Sequence, residues 1–167
     1  MIAASKMAHQ KYIVNVIIDA DKKVVHAVAG DAIEAHAAGC KFLQDYCQVV
    51  PKKAADIAIS TNGGYPLDQN MYQSVKGMTA AEAAAKDDGI LIMVSNCGDG
   101  HGGEGFYEAL KNCSSPADLM AEILKVPQDQ TKPDQWEYQI QCRILMQHKV
   151  CLLYTSDAAD DGERVDL

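Results

Sequence analysis

Long hydrophobic runs are missing from this sequence of 167 residues, whose apolar segments are short, such as Ile90–Val94. A transmembrane helix needs about 20 apolar residues, so we expect no membrane partner. Basic residues are few, 15 Lys and Arg against 23 Asp and Glu, and the net charge of −8 argues against a nucleic-acid partner. The 48% apolar and 23% charged residues are typical of a globular protein and exclude a wholly disordered chain.

Sequence patterns of metal and redox sites are also missing. The six cysteines form no C-x-x-C pair, and no H-x-x-x-H sequence occurs. The first residues, Met1–Lys6, lack the charged-then-apolar order of a signal peptide. We therefore expect reduced, mostly structural thiols, no metal held by this chain alone, and a cytoplasmic location.

The hydrophobic pattern predicts an α/β fold. Two strands around the polar turn Asp19–Lys23 predict a β-hairpin, and Asp31 is positioned to cap the helix that follows. Gly77 is expected to end a helix that begins at Leu67, and the capping-box sequence Thr79–Glu82 to begin the next. The expected architecture is a β-hairpin and a helix, followed by a small open, mainly parallel sheet with flanking helices.

The predicted elements alternate along the chain, as this architecture requires. Strands are predicted over residues 11–18, 24–29, 56–60, 89–95 and 149–154, and helices over residues 31–48, 67–76, 104–112 and 133–147, with further helices beginning at Thr79 and Pro116.

The composition changes at two places along the chain. The segment Pro51–Lys53 has the character of a linker between residues 1–50 and 51–154. Residues 155–167 contain five acidic residues, one basic residue and no apolar face. This end resembles translated adapter sequence, so we interpret it as a non-native or disordered acidic tail, and we expect the natural protein to continue past residue 154.

Two glycine-rich loops follow predicted strands. Thr61–Pro66 follows the strand at 56–60, and Asn96–Gly105 follows the strand at 89–95. The carboxyl ends of parallel strands meet at one sheet edge, where open α/β sheets bind ligands, and glycine lets the backbone approach a ligand closely. The loops therefore favour a ligand site at this edge, and the alternative is that they are only tight connections.

The second loop also contains a G-x-G-x-x-G pattern. Gly98, Gly100 and Gly103 follow a predicted strand, and Asp118 lies twenty residues beyond the first of them, as in a dinucleotide-binding fingerprint. In that fingerprint, however, the acidic residue ends a strand, whereas Asp118 is at the third position of a helix capped by Ser115. There it is expected to stabilise the helix N-terminus by about 0.3–1 kcal/mol. A dinucleotide-dependent oxidoreductase is therefore a weaker hypothesis.

Three polar side chains share one side of a predicted helix. Tyr72, Gln73 and Lys76 are at positions i, i+1 and i+4. A phenol, an amide and an ammonium group can all donate hydrogen bonds to an anion, and charge-assisted bonds are about twice as strong as neutral ones. The trio suits a small carboxylate. Two alternatives stay open: a solvated helix face, and a non-catalytic α/β module that binds a small anion or a nucleotide.

Two further side chains have more than one interpretation. His101 lies in the second glycine-rich loop, where it could be a ligand, an acid or base, or a residue that stabilises the loop. Trp136 is the only tryptophan, and packing in the core is its default role.

The run DIAISTNGGYPLDQNMYQSVKGM, residues 56–78, closely resembles the nickel-dependent lactate racemase family. The hairpin Tyr12–Asp31, the segment Asn96–Phe106 and Trp136 also agree with it. The resemblance covers residues 1 to about 154, and the strings TNGGYPLDQN and YQxVK are long and specific.

The resemblance implies a two-domain α/β enzyme whose active site lies between the domains. It implies a nickel pincer nucleotide, held mainly by the N-terminal domain, that takes a hydride from a 2-hydroxy acid such as lactate and returns it to the planar 2-keto acid. Tyr72, Gln73 and Lys76 match substrate-side catalytic residues of the family, and Trp136 matches its aromatic residue at the domain interface.

The resemblance also assigns parts of the chain to the two domains. Residues 1–50 would be the final portion of the N-terminal cofactor-binding domain, and residues 51–154 a truncated C-terminal domain that closes over the substrate. In this chain, Asn62, Gly63 and Gly64 are loop candidates for cofactor contact. The family's cofactor lysine, nickel histidine and acid/base histidines belong to the N-terminal domain, so we expect a fragment that is inactive alone.

Overall fold

The computed structural model describes residues 2–154, which divide after Val50 into two units. The predicted tail, residues 155–167, lies outside this range. The helices are α1 (Ile2–Met7), α2 (Ala32–Cys47), α3 (Met71–Glu82), α4 (Glu104–Lys111), α5 (Pro116–Ile123) and α6 (Gln135–Gln147), with a short 3-10 turn at Gln128–Gln130. The strands are β1 (Tyr12–Ile18), β2 (Val24–Asp31), β3 (Ala55–Thr61), β4 (Ala85–Ser95) and β5 (Lys149–Tyr154).

The first unit is the predicted hairpin followed by a helix. Strands β1 and β2 pair antiparallel, and α2 packs against both. The Asp31 side chain accepts hydrogen bonds from the backbone N–H groups of Ile33 and Glu34, so it caps α2 as predicted. The hairpin keeps an exposed apolar side, on which Val14 is 72% exposed.

The second unit is built on a parallel sheet, which confirms the expected fold class. The strand order is β3-β4-β5, and both strand pairs are parallel. Strand β4 begins at Ala85, earlier than the predicted residue 89, and α3 and α6 pack against the sheet. The core contains Val75, Met78, Leu91, Met93, Phe106, Leu119, Ile123, Tyr138, Cys142 and Ile144.

The predicted helix 67–76 is wrong at both ends. Asn70 caps α3, which begins at Met71, while Leu67 lies in the preceding turn and is 59% exposed. The helix then continues through Gly77 to Glu82, so Gly77 does not end it and Thr79 does not begin another helix.

Gly77 allows a close approach of α3 to the sheet. A Cβ atom added there would lie 2.5 Å from Met93 Cε and 2.5 Å from Asn62 Oδ1. The local sequence pattern predicts that this glycine ends the helix. Its actual role is to allow close packing of α3 against Met93 and Asn62.

One face of the sheet is apolar and exposed within residues 51–154. Side chains alternate along each strand, so Ala58, Leu91 and Met93 point into the core and their neighbours point the other way. Ile59, for example, is 69% exposed. The exposed set is Ile57, Ile59, Ile90, Val94 and Leu153. Parallel sheets are normally covered on both faces, so this face is suited to contact with further protein.

None of the helices within residues 2–154 is long and apolar enough to cross a membrane. All six cysteines are free thiols, of which Cys97 and Cys142 are buried.

We predict that Gly77→Ala destabilises the second unit by about 1–2 kcal/mol. Met93 is buried in the core and the Asn62 amide makes two hydrogen bonds, so neither side chain can move aside freely. The overpacking therefore costs about 1–3 kcal/mol, which exceeds the roughly 0.5–1 kcal/mol that alanine contributes in a helix. Urea unfolding measures the difference. The control is Gly39→Ala in α2, where the nearest atom to an added Cβ, Val28 Cγ2, is 3.4 Å away. A Gly77→Ala chain as stable as the control variant would contradict the packing argument.

Candidate functional site

The two glycine-rich loops lie at the same edge of the sheet, as the sequence predicts. Strands β3 and β4 are parallel, and Thr61 pairs with Val94 near their carboxyl ends. The first loop is attached to α3 by Asn62, whose side-chain N–H group donates to the carbonyl oxygens of Gln73 at 2.5 Å and Leu67 at 2.6 Å. The polar side of α3 therefore lies beside this loop.

The second loop holds the first turn of α3. The backbone N–H groups of Met71 and Tyr72 donate to the carbonyl oxygens of Gly100 and His101, at 3.0 and 3.2 Å. A Cβ atom at Gly102 would lie 2.9 Å from Tyr72 Cβ, so only glycine permits this approach. These contacts use backbone donors that a helix N-terminus otherwise offers to an anion, so the N–H groups of Met71 and Tyr72 are not available to an anion.

The predicted trio lies together on the accessible side of α3. The ammonium group of Lys76 donates to Gln73 Oε1 at 2.5 Å. Its Nζ atom lies 5.9 Å from the ring centroid of Tyr72 and 6.0 Å from that of Trp136, distances at which aromatic rings attract a cation. An ammonium group has three donors, so two are available to a bound anion after the bond to Gln73.

Trp136 is at the surface rather than in the core. Trp136 is 50% exposed, and its ring meets the Tyr72 ring edge-on at a centroid distance of 6.2 Å. The default expectation of core packing is therefore wrong, because the second position of α6 directs this ring toward Tyr72 and Lys76.

The hydroxyl group of Tyr72 has a partner of its own. It donates to Asp134 Oδ1 at 3.0 Å, and Asp134 precedes α6. Burial, followed by this hydrogen bond and the negative charges of Asp134 and Glu137, raises the pKa of Tyr72 to about 12. The phenol therefore stays protonated near neutral pH, and its ring rather than its hydroxyl group faces Lys76.

Glu137 is a residue of this region that the sequence patterns do not reveal. Its side chain is fully buried, and neither carboxyl oxygen has a hydrogen-bond partner among the described residues. Burial raises its pKa to about 7, the ammonium charge of Lys76 opposes that rise, and Asp134 adds to it.

The remaining candidates have structural contacts. Asn62 uses its side-chain donor within the protein, and Gly63 and Gly64 follow it in the open part of the first loop. His101 stacks on Tyr107 at a centroid distance of 4.2 Å, which is a loop-stabilising contact. Within residues 2–154, no group of three or more His, Cys, Asp or Glu side chains is placed to hold a metal ion.

The dinucleotide hypothesis finds no support in the geometry. The loop from Gly98 to Gly103 packs on the start of α3. Asp118 lies in the first turn of α5, where its N–H group donates to Ser115 Oγ at 3.1 Å and its carboxylate accepts from that hydroxyl group at 2.8 Å. This is the predicted capping role.

We predict that stability depends on pH through Glu137. Its pKa of about 7 in the folded chain exceeds the ordinary value of 4.5, so the folded chain binds this proton more tightly. The stabilisation that this bound proton gives the folded chain is fully present below about pH 4.5 and decreases as pH rises to about 7. Relative to Glu137→Gln, the unfolding free energy should fall by about 2–3 kcal/mol over that range.

Urea unfolding between pH 4.5 and 8 measures this difference. Glu122→Gln, which changes an exposed carboxyl group on α5, is the matched control and should show no such trend. A constant difference between the wild-type chain and Glu137→Gln would contradict the assignment.

Comparison with known proteins identifies the family. Residues 50–163 match the family model of the lactate racemase C-terminal domain. The chain is 53% identical over 156 residues to a lactate racemase of Thermoanaerobacterium thermosaccharolyticum, and 49% identical over 160 residues to one of Lactiplantibacillus plantarum. These alignments cover 93% and 96% of this chain but only 36% and 37% of the relatives' lengths.

A solved structure gives the same relationship. The lactate racemase apoprotein of Thermoanaerobacterium thermosaccharolyticum superposes with a TM-score of 0.86 at 53% identity, and the match covers 93% of this chain and 37% of that chain. The chain therefore belongs to the lactate racemase family, and residues 50–163 correspond to the family's C-terminal domain.

Proposed function

We propose that this chain supplies the substrate-binding side of a racemase of 2-hydroxy acids such as lactate. The observation that carries the proposal is the Lys76 ammonium group, which lies beside the rings of Tyr72 and Trp136 and is hydrogen-bonded to Gln73. A cation held beside aromatic rings and an amide is suited to a small carboxylate. The names of the two relatives support lactate as the substrate class.

The chemistry of racemisation explains why a carboxylate must be held. Removing the α-proton of a 2-hydroxy acid leaves a poorly stabilised carbanion, whereas removing the hydrogen as hydride leaves a planar 2-keto acid. The configuration inverts when hydride returns to the other face of that planar carbon. The protein must keep the carboxylate in place while the rest of the intermediate turns, which is the role we assign to this chain.

Lys76 and its neighbours would divide that role. The ammonium group of Lys76 binds the carboxylate, and Gln73 orients it through the bond to Oε1. The rings of Tyr72 and Trp136 lie beside the ammonium group, at centroid distances at which aromatic rings attract a cation. The electrostatic contribution of such a group increases when closure of the active site excludes water.

The cofactor would be held mainly outside this chain. The side-chain donor of Asn62 is used within the protein, which leaves the backbone of Gly63 and Gly64 as the loop surface available for contact. We propose that a nickel pincer nucleotide, bound to the N-terminal domain of the same protein, supplies the hydride acceptor and donor.

We further propose that the chain is part of a longer enzyme. Residues 1–50 would be the end of an N-terminal cofactor-binding domain, and residues 51–154 a truncated domain that closes over the substrate. Two observations support this: the chain spans about 37% of its relatives' length, and the hairpin and the parallel sheet each have an exposed apolar face. Apolar faces of this kind are normally covered by further protein.

The first test removes the ammonium group. We consider a chimaera in which this chain replaces the aligned segment of the Thermoanaerobacterium thermosaccharolyticum lactate racemase. Lys76→Ala in the chimaera should lower kcat/KM for lactate about 100-fold or more, because the carboxylate loses a charge-assisted partner, while cofactor loading stays intact. Racemisation is followed by chiral chromatography, and loading by absorbance and nickel content.

The control is Lys125→Ala, which removes an exposed ammonium group just after α5 and should leave kcat/KM unchanged. If Lys76→Ala racemises lactate like the control, Lys76 does not hold the substrate. The non-catalytic anion-binding module would then be the better interpretation of these residues.

The second test uses the 167-residue chain alone with the nickel pincer nucleotide added. We predict no racemisation of either lactate enantiomer, because the acid/base histidines and the cofactor ligands of the family would be on the other domain. The active chimaera, assayed in parallel, shows that the cofactor preparation is competent. Turnover by the isolated chain would contradict the proposed division of the active site.

A further inference from the structure

Glu137 is a buried carboxyl group next to the proposed substrate site. Its exposure is 0%, and both carboxyl oxygens are without a hydrogen-bond partner among the described residues. It follows Trp136 at the start of α6, the helix that packs against α3. Carboxyl groups are seldom fully buried without a partner, because an unpaired buried charge is strongly disfavoured.

The charged groups that act on Glu137 come from two elements. The positive charge of Lys76 on α3 lowers the pKa of Glu137, and the negative charge of Asp134, which precedes α6, raises it. The negative charge of Glu137 in turn raises the pKa of the Tyr72 phenol, which is also on α3. The other elements that pack against α6 also carry charged side chains. They are Lys86, Asp87 and Asp88 on β4, Glu104, Glu108 and Lys111 on α4, Asp118 and Glu122 on α5, and Lys149 on β5.

We infer that Glu137 is a positioning residue that acts through Lys76. The buried carboxyl group of Glu137 sets the net charge that this site presents to an anionic substrate. The inference rests on the proposed function and deepens it. When the carboxyl group is neutral, the ammonium charge of Lys76 is available to the substrate carboxylate. When it is ionised, its negative charge offsets that of Lys76 and repels the carboxylate.

The raised pKa of Glu137, about 7, supports this role because the change of charge then falls near neutral pH. Linkage requires the effect to be reciprocal, so an anion bound at Lys76 favours the protonated form of Glu137 as much as protonation favours the anion. A carboxyl group with a purely structural role would not change substrate affinity with pH in this way.

The first experiment compares KM for lactate in the chimaera with and without the ionisable group. The ratio of the wild-type KM to the KM of Glu137→Gln should rise about tenfold between pH 6 and pH 8, while the corresponding ratio of kcat values changes much less. Using the ratio removes the contribution of groups that titrate in both proteins. Glu122→Gln is the control and should give a ratio that is independent of pH.

The second experiment needs no racemase activity. Carboxyl carbon NMR of the 167-residue chain follows the titration of Glu137, assigned by its loss in Glu137→Gln. Lys76→Met removes the cation that lowers the pKa of Glu137, so that pKa should rise by about one unit. The matched variant Lys125→Met should leave it unchanged.

The two experiments separate this inference from the proposed function. A KM ratio that is flat with pH, or a Glu137 titration that does not respond to Lys76→Met, overturns the inference even when Lys76→Ala abolishes racemisation. A chimaera that is inactive with Lys76 in place contradicts the proposed function, while a titration that responds to Lys76→Met still supports the charge link between the two residues.

Discussion

The close approach of α3 to the sheet at Gly77 determines where the polar side chains of this protein lie. With no side chain at this position, the helix rests against Met93 of β4 and the side chain of Asn62. A second contact, between the hydroxyl groups of Ser74 and Ser95 at 2.6 Å, fixes the same helix near the carboxyl end of β4. With α3 held in this way, Lys76 lies on the part of the helix that is exposed.

The fold was predictable from sequence where the signals are local. The hairpin, the caps at Asp31 and Ser115 and the parallel strands follow from turn residues, capping residues and hydrophobic runs, and the structure confirms them. The extent of α3 was not predictable in this way, because glycine usually marks a helix end and only the neighbouring strand shows why Gly77 lies inside the helix. Leu67 was misassigned for a different reason, because Asn70 caps α3 and the helix therefore begins at Met71.

The candidate site was predictable in part. The spacing of Tyr72, Gln73 and Lys76 places them on one side of a helix, and that side is the accessible one. The sequence could not show that the Tyr72 hydroxyl group is bonded to Asp134, which is distant in the chain. It could not reveal Glu137 either, because an acidic residue in the first turn of a helix normally stabilises its N-terminus and is exposed, whereas this one is buried.

The proposed function depends on Lys76 receiving the carboxylate of the substrate. A crystal structure of the chimaera with a 2-hydroxy acid or its 2-keto acid bound is the most direct measurement of that contact. We expect a substrate carboxylate oxygen within about 3 Å of Lys76 Nζ, with the ammonium group still beside the ring of Trp136. A carboxylate bound by other residues, with Lys76 directed into solvent, would contradict it.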